Sequence, residues 1–535
     1  MKKYDVENAS TENARTSSTR SNASTVETPD APTPNAPTPD APAGALYRAV
    51  WRWHFYTGLV LSPLIVLLAI TGAIYLWKPQ FEAWRYDALL RVSPPTSLKT
   101  TSQNSTSQNS VAPKTLSPDA QLAAAQNFLP RAQAESYLAP TALDRSAEIV
   151  FKNQGDKTSV FVDPYTARVL GERTENTRLM TVVHDLHGEL LVGKPGALLM
   201  ELAGTWVFVM VLTGFYLNWP RPKFALRGFV IPRLRSGRHV LKRDLHVVPA
   251  VWMSGLLLVI LATGMPWTTV SGQWLDIYSN ALGQGRPAES SASAHRSEVL
   301  GGWSPYVKND AIKRQLKNVA SVAPTAAPPK SRPESLAHDN HVGHGKEVIA
   351  EEKTSRNALS QRISLSQVMA IAATKNLQSS YTIALPKGET GVYSILTDRN
   401  KPFVRAFIHM DQYSGRVLAD VRYNDLGTLA KPVMWGIILH EGQLFGVPNQ
   451  ILGLITCLAV LATVFSGYAL WWSRRPRRET AFGAPPRPSQ RAFPRSVVWG
   501  TVVLGVFLPL LGATLIILLL FDKLLTPRFR KLATT

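Results

Sequence analysis

Residues 51–79 read WRWHFYTGLVLSPLIVLLAITGAIYLWKP. From Phe55 to Trp77 the stretch carries no charge. About 20 apolar residues, at 1.5 Å of helix rise each, cross a hydrocarbon core of roughly 30 Å. Trp51, Arg52 and Trp53 supply the aromatic and basic anchors typical of a membrane interface. The stretch therefore predicts a membrane-spanning helix within residues 46–78, and the reading extends outward from it. Similar windows recur at 197–217, 247–267 and 449–472, and a further one at 497–520 predicts a fifth span.

Between the windows the text changes character. Residues 1–45 are low in complexity, end in APTPNAPTPDAPA, and predict a disordered cytoplasmic tail without a cleavable signal peptide. Residues 79–196 and 268–448 are water-soluble in character. In the first, Leu116 to Phe128 has helical periodicity with Ser117 as N-cap, followed by strand signals at Glu148–Lys152, Ser159–Val162 and Arg168–Leu170. In the second, a helix over Ile363–Lys375 precedes strands at Tyr393–Leu396, Val404–His409 and Arg416–Asp420. An Ala/Ser/Pro-rich insertion at about 284–360 predicts disorder. The fold class is thus an α-helical polytopic membrane protein with two small α+β domains.

The 535 residues carry a formal charge of +21. The excess gathers beside the apolar windows, in the loops 218–246 and 473–496, so it reads as the positive-inside signal and not as nucleic-acid binding. Both loops are then cytoplasmic, as is the N-terminus, and both α+β regions face outward. The basic tail 521–535 would lie outside after a fifth span, against the same rule. Cys457 is the sole cysteine, so neither an internal disulfide nor a covalent CxxCH haem site is possible.

An internal repeat runs through the chain. Residues 186–195, LHGELLVGKP, align without gaps on 439–448, LHEGQLFGVP. Gly214 then falls on Gly467 and Trp219 on Trp472, while His54 and Gly72 fall on His246 and Gly264. In the soluble parts Asp163-x-Tyr165-x-x-Arg168-Val169-Leu170 falls on Asp411-x-Tyr413-x-x-Arg416-Val417-Leu418. The unit is helix, soluble domain, helix. Its even number of spans gives both copies the same orientation, related by a pseudo-two-fold axis along the membrane normal.

Four histidines lie on the repeat: His54 with His246 near the cytoplasmic face, and His187 with His440 near the outer face. A lone histidine at a helix end usually bonds backbone or lipid head groups. Recurrence of both in register points instead to opposed imidazoles that clamp a planar metal macrocycle, with neutral nitrogen as the iron ligand. The expectation is two non-covalent, bis-histidine b-type haems. His184, three residues before His187, is a candidate supporting or substitute ligand, although Ile437 stands at its counterpart. His338, His341 and His344 in HDNHVGH have loose metal-binding spacing but read as a solvated tract. His239 and His295 have no counterpart, and Phe161 stands opposite His409. The four repeat glycines read as close-packing positions. No dinucleotide, Walker or catalytic-triad pattern is present, so electrons must come from an outside donor.

The opening segment, HDLHGELLVGKPG with GFYLNWPR, and LHEGQLFG with GYALWWSRRP together resemble the PepSY-associated transmembrane family. FVDPYTARVLG and FIHMDQYSGRVLAD are similar to the ends of PepSY domains. The resemblance spans about 46–283 and 360–480. It implies an iron-regulated protein of the bacterial inner membrane with two haems on His54, His246, His187 and His440. The implied activity is reduction of Fe(III) held by a siderophore or another ferric chelate, with electrons from an unidentified cytoplasmic donor. Two rival expectations are a regulator whose outer domains bind a peptide or peptidase, and a siderophore permease with a polar path through the bundle.

Overall fold

The computed structural model of the chain describes residues 42–95, 114–153, 155–220, 226–297, 362–474 and 494–524. The tail 1–41, most of the insertion and the HDNHVGH tract lie outside the described residues.

Among the described residues, four helices are long and apolar enough to span a bilayer: α1 (Pro42–Tyr75), and, after the short helices α2 (Lys78–Arg85), α3 (Asp87–Leu90), α4 (Pro118–Phe128) and α5 (Leu179–Glu189), the spans α6 (Lys194–Asn218), α7 (Arg238–Gly264) and Val447–Arg474. Their most apolar windows have mean hydropathies of 1.8 to 2.2. Between α7 and the last span come α8 (Thr269–Ala281), α9 (Leu365–Ala373) and α10 (Ala430–His440), which makes Val447–Arg474 α11. The spans close into a ring: α1 packs on α6 and α11, and α7 packs on α11 and α6. α1 and α7 therefore occupy opposite corners, as do α6 and α11.

The window at 497–520, expected to be one fifth span, is two shorter helices, α12 (Arg495–Phe507) and α13 (Pro509–Leu524). Pro509 explains the break. Its ring disfavours the helical conformation for the residue before it, and Leu508 accordingly sits at φ −120°, ψ 82°. The chain then folds back so closely that a methyl group at Gly505 would meet Gly512 Cα at 3.1 Å. Leu508 and Leu511 bury against Trp206 of α6, whose Nε1 donates to Thr514 Oγ1.

The soluble regions form one antiparallel sheet where two separate domains were expected. Its strands are β1 (Gln133–Leu138), β2 (Ala147–Asn153), β3 (Asp156–Val162), β4 (Val169–Thr174), β5 (Tyr381–Ala384), β6 (Val392–Thr397), β7 (Ala406–Asp411) and β8 (Val417–Arg422), in the order β4-β3-β2-β1-β5-β6-β7-β8. Each region supplies four strands. The joint is the pairing of Ser136, Tyr137 and Leu138 with Ala384, Ile383 and Thr382. One face carries a shared core of Ile149, Phe151, Val160, Ile383, Ile395 and Ile408 under α4 and α9. Ser117 caps α4 as its sequence predicts, accepting from Ala120 N. Asp119 in the first turn of α4 reaches the other region, accepting from Leu365 N at 2.8 Å and Ser366 N at 3.1 Å.

The insertion, expected from about residue 284, begins later. Gln284 accepts through its backbone carbonyl from Leu429 N and Ala430 N, and Ser297 N donates to Thr390 O. Residues 284–297 are thus tied at their two ends to the start of α10 and to the loop between β5 and β6, by main-chain bonds that composition alone does not reveal.

Candidate functional site

His187 and His440 sit on short helices of their own, ahead of the spans. His187 lies in the last turn of α5, which packs on α1 and α6, and His440 ends α10, which packs on α7. The two rings meet across the bundle with centroids 6.3 Å apart and planes inclined at 68°. His54 and His246 lie within the spans themselves. α7 begins at Arg238, so His246 is inside the helix and not at its start, and His54 is likewise inside α1. Both line one cavity of about 840 Å3, counting the part open to the exterior. Its remaining wall is mostly apolar, including Met210, Val251, Leu257 and Val464.

All four rings are held in the same manner, by Nδ1. His187 Nδ1 is 2.8 Å from Thr71 Oγ1, and His54 Nδ1 is 2.8 Å from Thr213 Oγ1. His440 Nδ1 is 2.9 Å from the Ile260 carbonyl, and His246 Nδ1 is 2.9 Å from the Thr463 carbonyl. A carbonyl only accepts, so Nδ1 carries the proton in His440 and His246. The Thr71 and Thr213 hydroxyls donate to the Leu67 and Val209 carbonyls at 2.7 Å, which leaves their oxygens to accept from His187 and His54. Each imidazole is thereby set in one tautomer. Its Nε2 lone pair has no hydrogen-bond partner among the described residues.

Glycine makes room for each ring. The nearest ring atom to a methyl built at Gly72 is His187 Cε1, at Gly264 His440 Cε1, at Gly214 His54 Cε1 and at Gly467 His246 Cε1. Within each half of the chain, the entry span holds one histidine and supplies the glycine that faces the other. In all four cases a hydroxyl residue precedes the glycine: Thr71, Thr213, Thr263 and Ser466. This fourfold Thr/Ser-Gly pair is a sequence signal that a reading focused on the glycines alone passes over.

The donor set fits a bis-imidazole macrocycle. An imidazole nitrogen lies about 2.0–2.1 Å from a first-row metal, with the ring centre about 1.1 Å further, so two rings on opposite sides of one metal have centres roughly 6.3 Å apart. The His187–His440 separation matches that spacing. The wall of the cavity beside His54 and His246 is mostly apolar, which suits a porphyrin.

The other expected residues divide. His184 shares α5 with His187 but stays outside the pair. It is 59% exposed, bonded to Asp185 at 3.0 Å, and rests on the Tyr75 ring. His409 is buried in the sheet and bonded to Ser394, with His295 against it at 4.9 Å. No group of three or more His, Cys, Asp or Glu able to hold a metal ion occurs among the described residues. Two acids are buried in the spans, and both are satisfied. Glu201 accepts from Val270 N and Ser271 N at the start of α8, and Asp244 pairs with Arg233.

Fold and spans define a multi-pass membrane protein with a sheet domain set on a four-helix bundle. The chain belongs to the family described as the PepSY-associated TM region, whose model matches residues 51–474. No curated protein matches the chain at a significant level.

Proposed function

We propose that the chain is a two-haem electron conduit of the bacterial inner membrane that reduces a ferric siderophore, or another ferric chelate, at the outer face. The observation that carries this reading is the 6.3 Å between the His187 and His440 ring centres, the spacing of two imidazoles on one metal. On this reading His54 and His246 hold one b-type haem near the cytoplasmic face, and His187 and His440 hold the other. Haem ligated by two imidazoles exchanges a single electron between its ferric and ferrous states, and one at each end of the bundle would relay electrons across the bilayer.

The chain's own residues orient and insulate. The Nδ1 contacts fix each ring and direct Nε2, and the glycines let the rings approach the opposing helix. The buried acids Glu201 and Asp244 are spent on α8 and Arg233, which leaves them unavailable to line a polar route and favours a conduit over a permease. One electron from a cytoplasmic donor converts substrate Fe(III) to Fe(II). The lower charge density of Fe(II) weakens its hold on hard oxygen ligands, and iron is released.

Orientation rests on the basic loops 218–246 and 473–496 being cytoplasmic, which turns the sheet toward the periplasm. A parallel duplication is supported by the diagonal placement of α1 and α7 and by histidine–glycine contacts repeated in each half.

The test uses protein in vesicles, with reductant enclosed and a ferric chelate plus a ferrous-ion indicator outside. Dithionite should produce a low-spin haem spectrum with split α and β bands, and the external indicator should colour only when protein is present. Colourless protein would overturn the reading and favour a PepSY-type regulatory membrane protein. Coloured protein that leaves the external iron ferric would overturn the reductase assignment.

A further inference from the structure

The two rings of each pair are anchored by different chemistry. In each pair one ring rests on a side-chain hydroxyl and the other on main chain. His187 and His54 rest on Thr71 and Thr213, while His440 and His246 rest on the Ile260 and Thr463 carbonyls. Hydroxyls stand at the corresponding places in the second half, but they serve differently. Thr263 Oγ1 donates to the Val259 carbonyl at 2.8 Å and lies 3.0 Å from the Ile260 carbonyl, and Ser466 Oγ donates to the Thr463 carbonyl at 3.0 Å. Ser466 Oγ is 3.5 Å from His246 Nδ1, against 2.9 Å for the carbonyl. In the second half the imidazole bonds the main chain directly: Ser466 and His246 share the Thr463 carbonyl, and Thr263 bonds its own helix beside the Ile260 carbonyl that holds His440. In the first half, the hydroxyl stands between the imidazole and the main chain.

This difference has a chemical consequence. The carbonyl anchors belong to the main chain and persist whatever side chain stands nearby. The hydroxyl anchors vanish with a single atom, which leaves His187 only the Leu68 carbonyl nearby and His54 no other Nδ1 partner among the described residues. A histidine Nδ1–H without an acceptor loses the bond that fixes its tautomer and raises the basicity of Nε2. We propose that Thr71 and Thr213 are positioning residues that hold His187 and His54 as Nε2 ligands, one at each end of the bundle, while their counterparts Thr263 and Ser466 have no such part. The proposal rests on the two-haem reading and assigns the adjustable ligand at both sites to the first half of the chain.

The experiment compares matched substitutions in the full-length protein: Thr71→Val with Thr263→Val, and Thr213→Val with Ser466→Ala. Haem is titrated into haem-depleted protein, and the midpoint potential of each haem is measured. The outer haem is identified by its loss in His440→Ala. Thr71→Val should weaken the outer haem by about 10–100-fold and raise its midpoint potential, because a less basic imidazole favours ferrous iron. Thr71→Ser should restore both values. Thr213→Val should do the same at the inner haem, and Thr263→Val and Ser466→Ala should retain wild-type values. Equal effects of Thr71→Val and Thr263→Val, or no rescue by serine, would overturn the proposal while leaving a two-haem wild type intact. A wild type that takes up no haem would overturn both the proposal and the reading beneath it.

Discussion

Gly264 lies against the His440 ring so closely that a methyl group added there would stand 2.9 Å from Cε1. Carbon atoms in good contact lie about 3.5–4.0 Å apart, so the ring must move. The other three glycines are more forgiving: the corresponding distance is 3.3 Å at Gly467, 3.4 Å at Gly72 and 3.5 Å at Gly214.

The expected order follows from those distances. On the two-haem proposal, Gly264→Ala should displace His440 and remove the haem proposed at His187 and His440, Gly467→Ala should weaken the one proposed at His54 and His246, and Gly72→Ala and Gly214→Ala should stay near wild type. Haem absorbance per chain in the four purified variants checks the order. Equal loss in all four would mean that the glycines matter for helix packing alone.

Asp119 joins the two halves of the sheet domain, because a carboxylate on α4 caps the start of α9. Loss of such a cap costs about 1–2 kcal/mol. With roughly 2–4 °C per kcal/mol for a unit of about 200 residues, Asp119→Ala should lower the Tm of the sheet by about 2–8 °C. Thermal proteolysis reads the shift, and the haem spectrum should not change.

His409 gives the sheet a pH dependence. It is 1% exposed, and burial holds its imidazole below the ordinary value; the Ser290 carbonyl opposes that shift and nearby His295 adds to it. Below about pH 6.5 an unfolded chain takes up the proton while the folded one does not. Stability from this group is therefore complete above that pH and is lost as pH falls toward the folded value, by at most about 1.4 kcal/mol per unit. Phe161 fills the matching place in the first half and is also buried. His409→Phe should flatten the melting profile between pH 5 and 7, and an unchanged slope would place the titrating group elsewhere.

The membrane plan was legible because apolar windows are long and uninterrupted, and the four paired histidines because the repeat marks them. Three features escaped for physical reasons. β1, QAESYL, lacks clean alternation and β5 has only four residues, so the strands that fuse the sheet carry the weakest local signals. The break at Leu508 depends on Pro509, and proline is tolerated inside other helices of this chain, at Pro63 in α1 and Pro249 in α7. Proline alone therefore does not decide the matter, whereas the back-fold also needs the touching pair Gly505 and Gly512. The anchoring hydroxyls were visible only as residues preceding glycines, since nothing local shows that Thr71 faces His187 across the bundle.

The most direct test is the amount of haem per chain in the purified wild type, His54→Ala and His440→Ala. The account predicts two haems in the wild type and one in each variant, with the two variants retaining spectrally different haems. A wild type without haem, or variants that keep both, would contradict it.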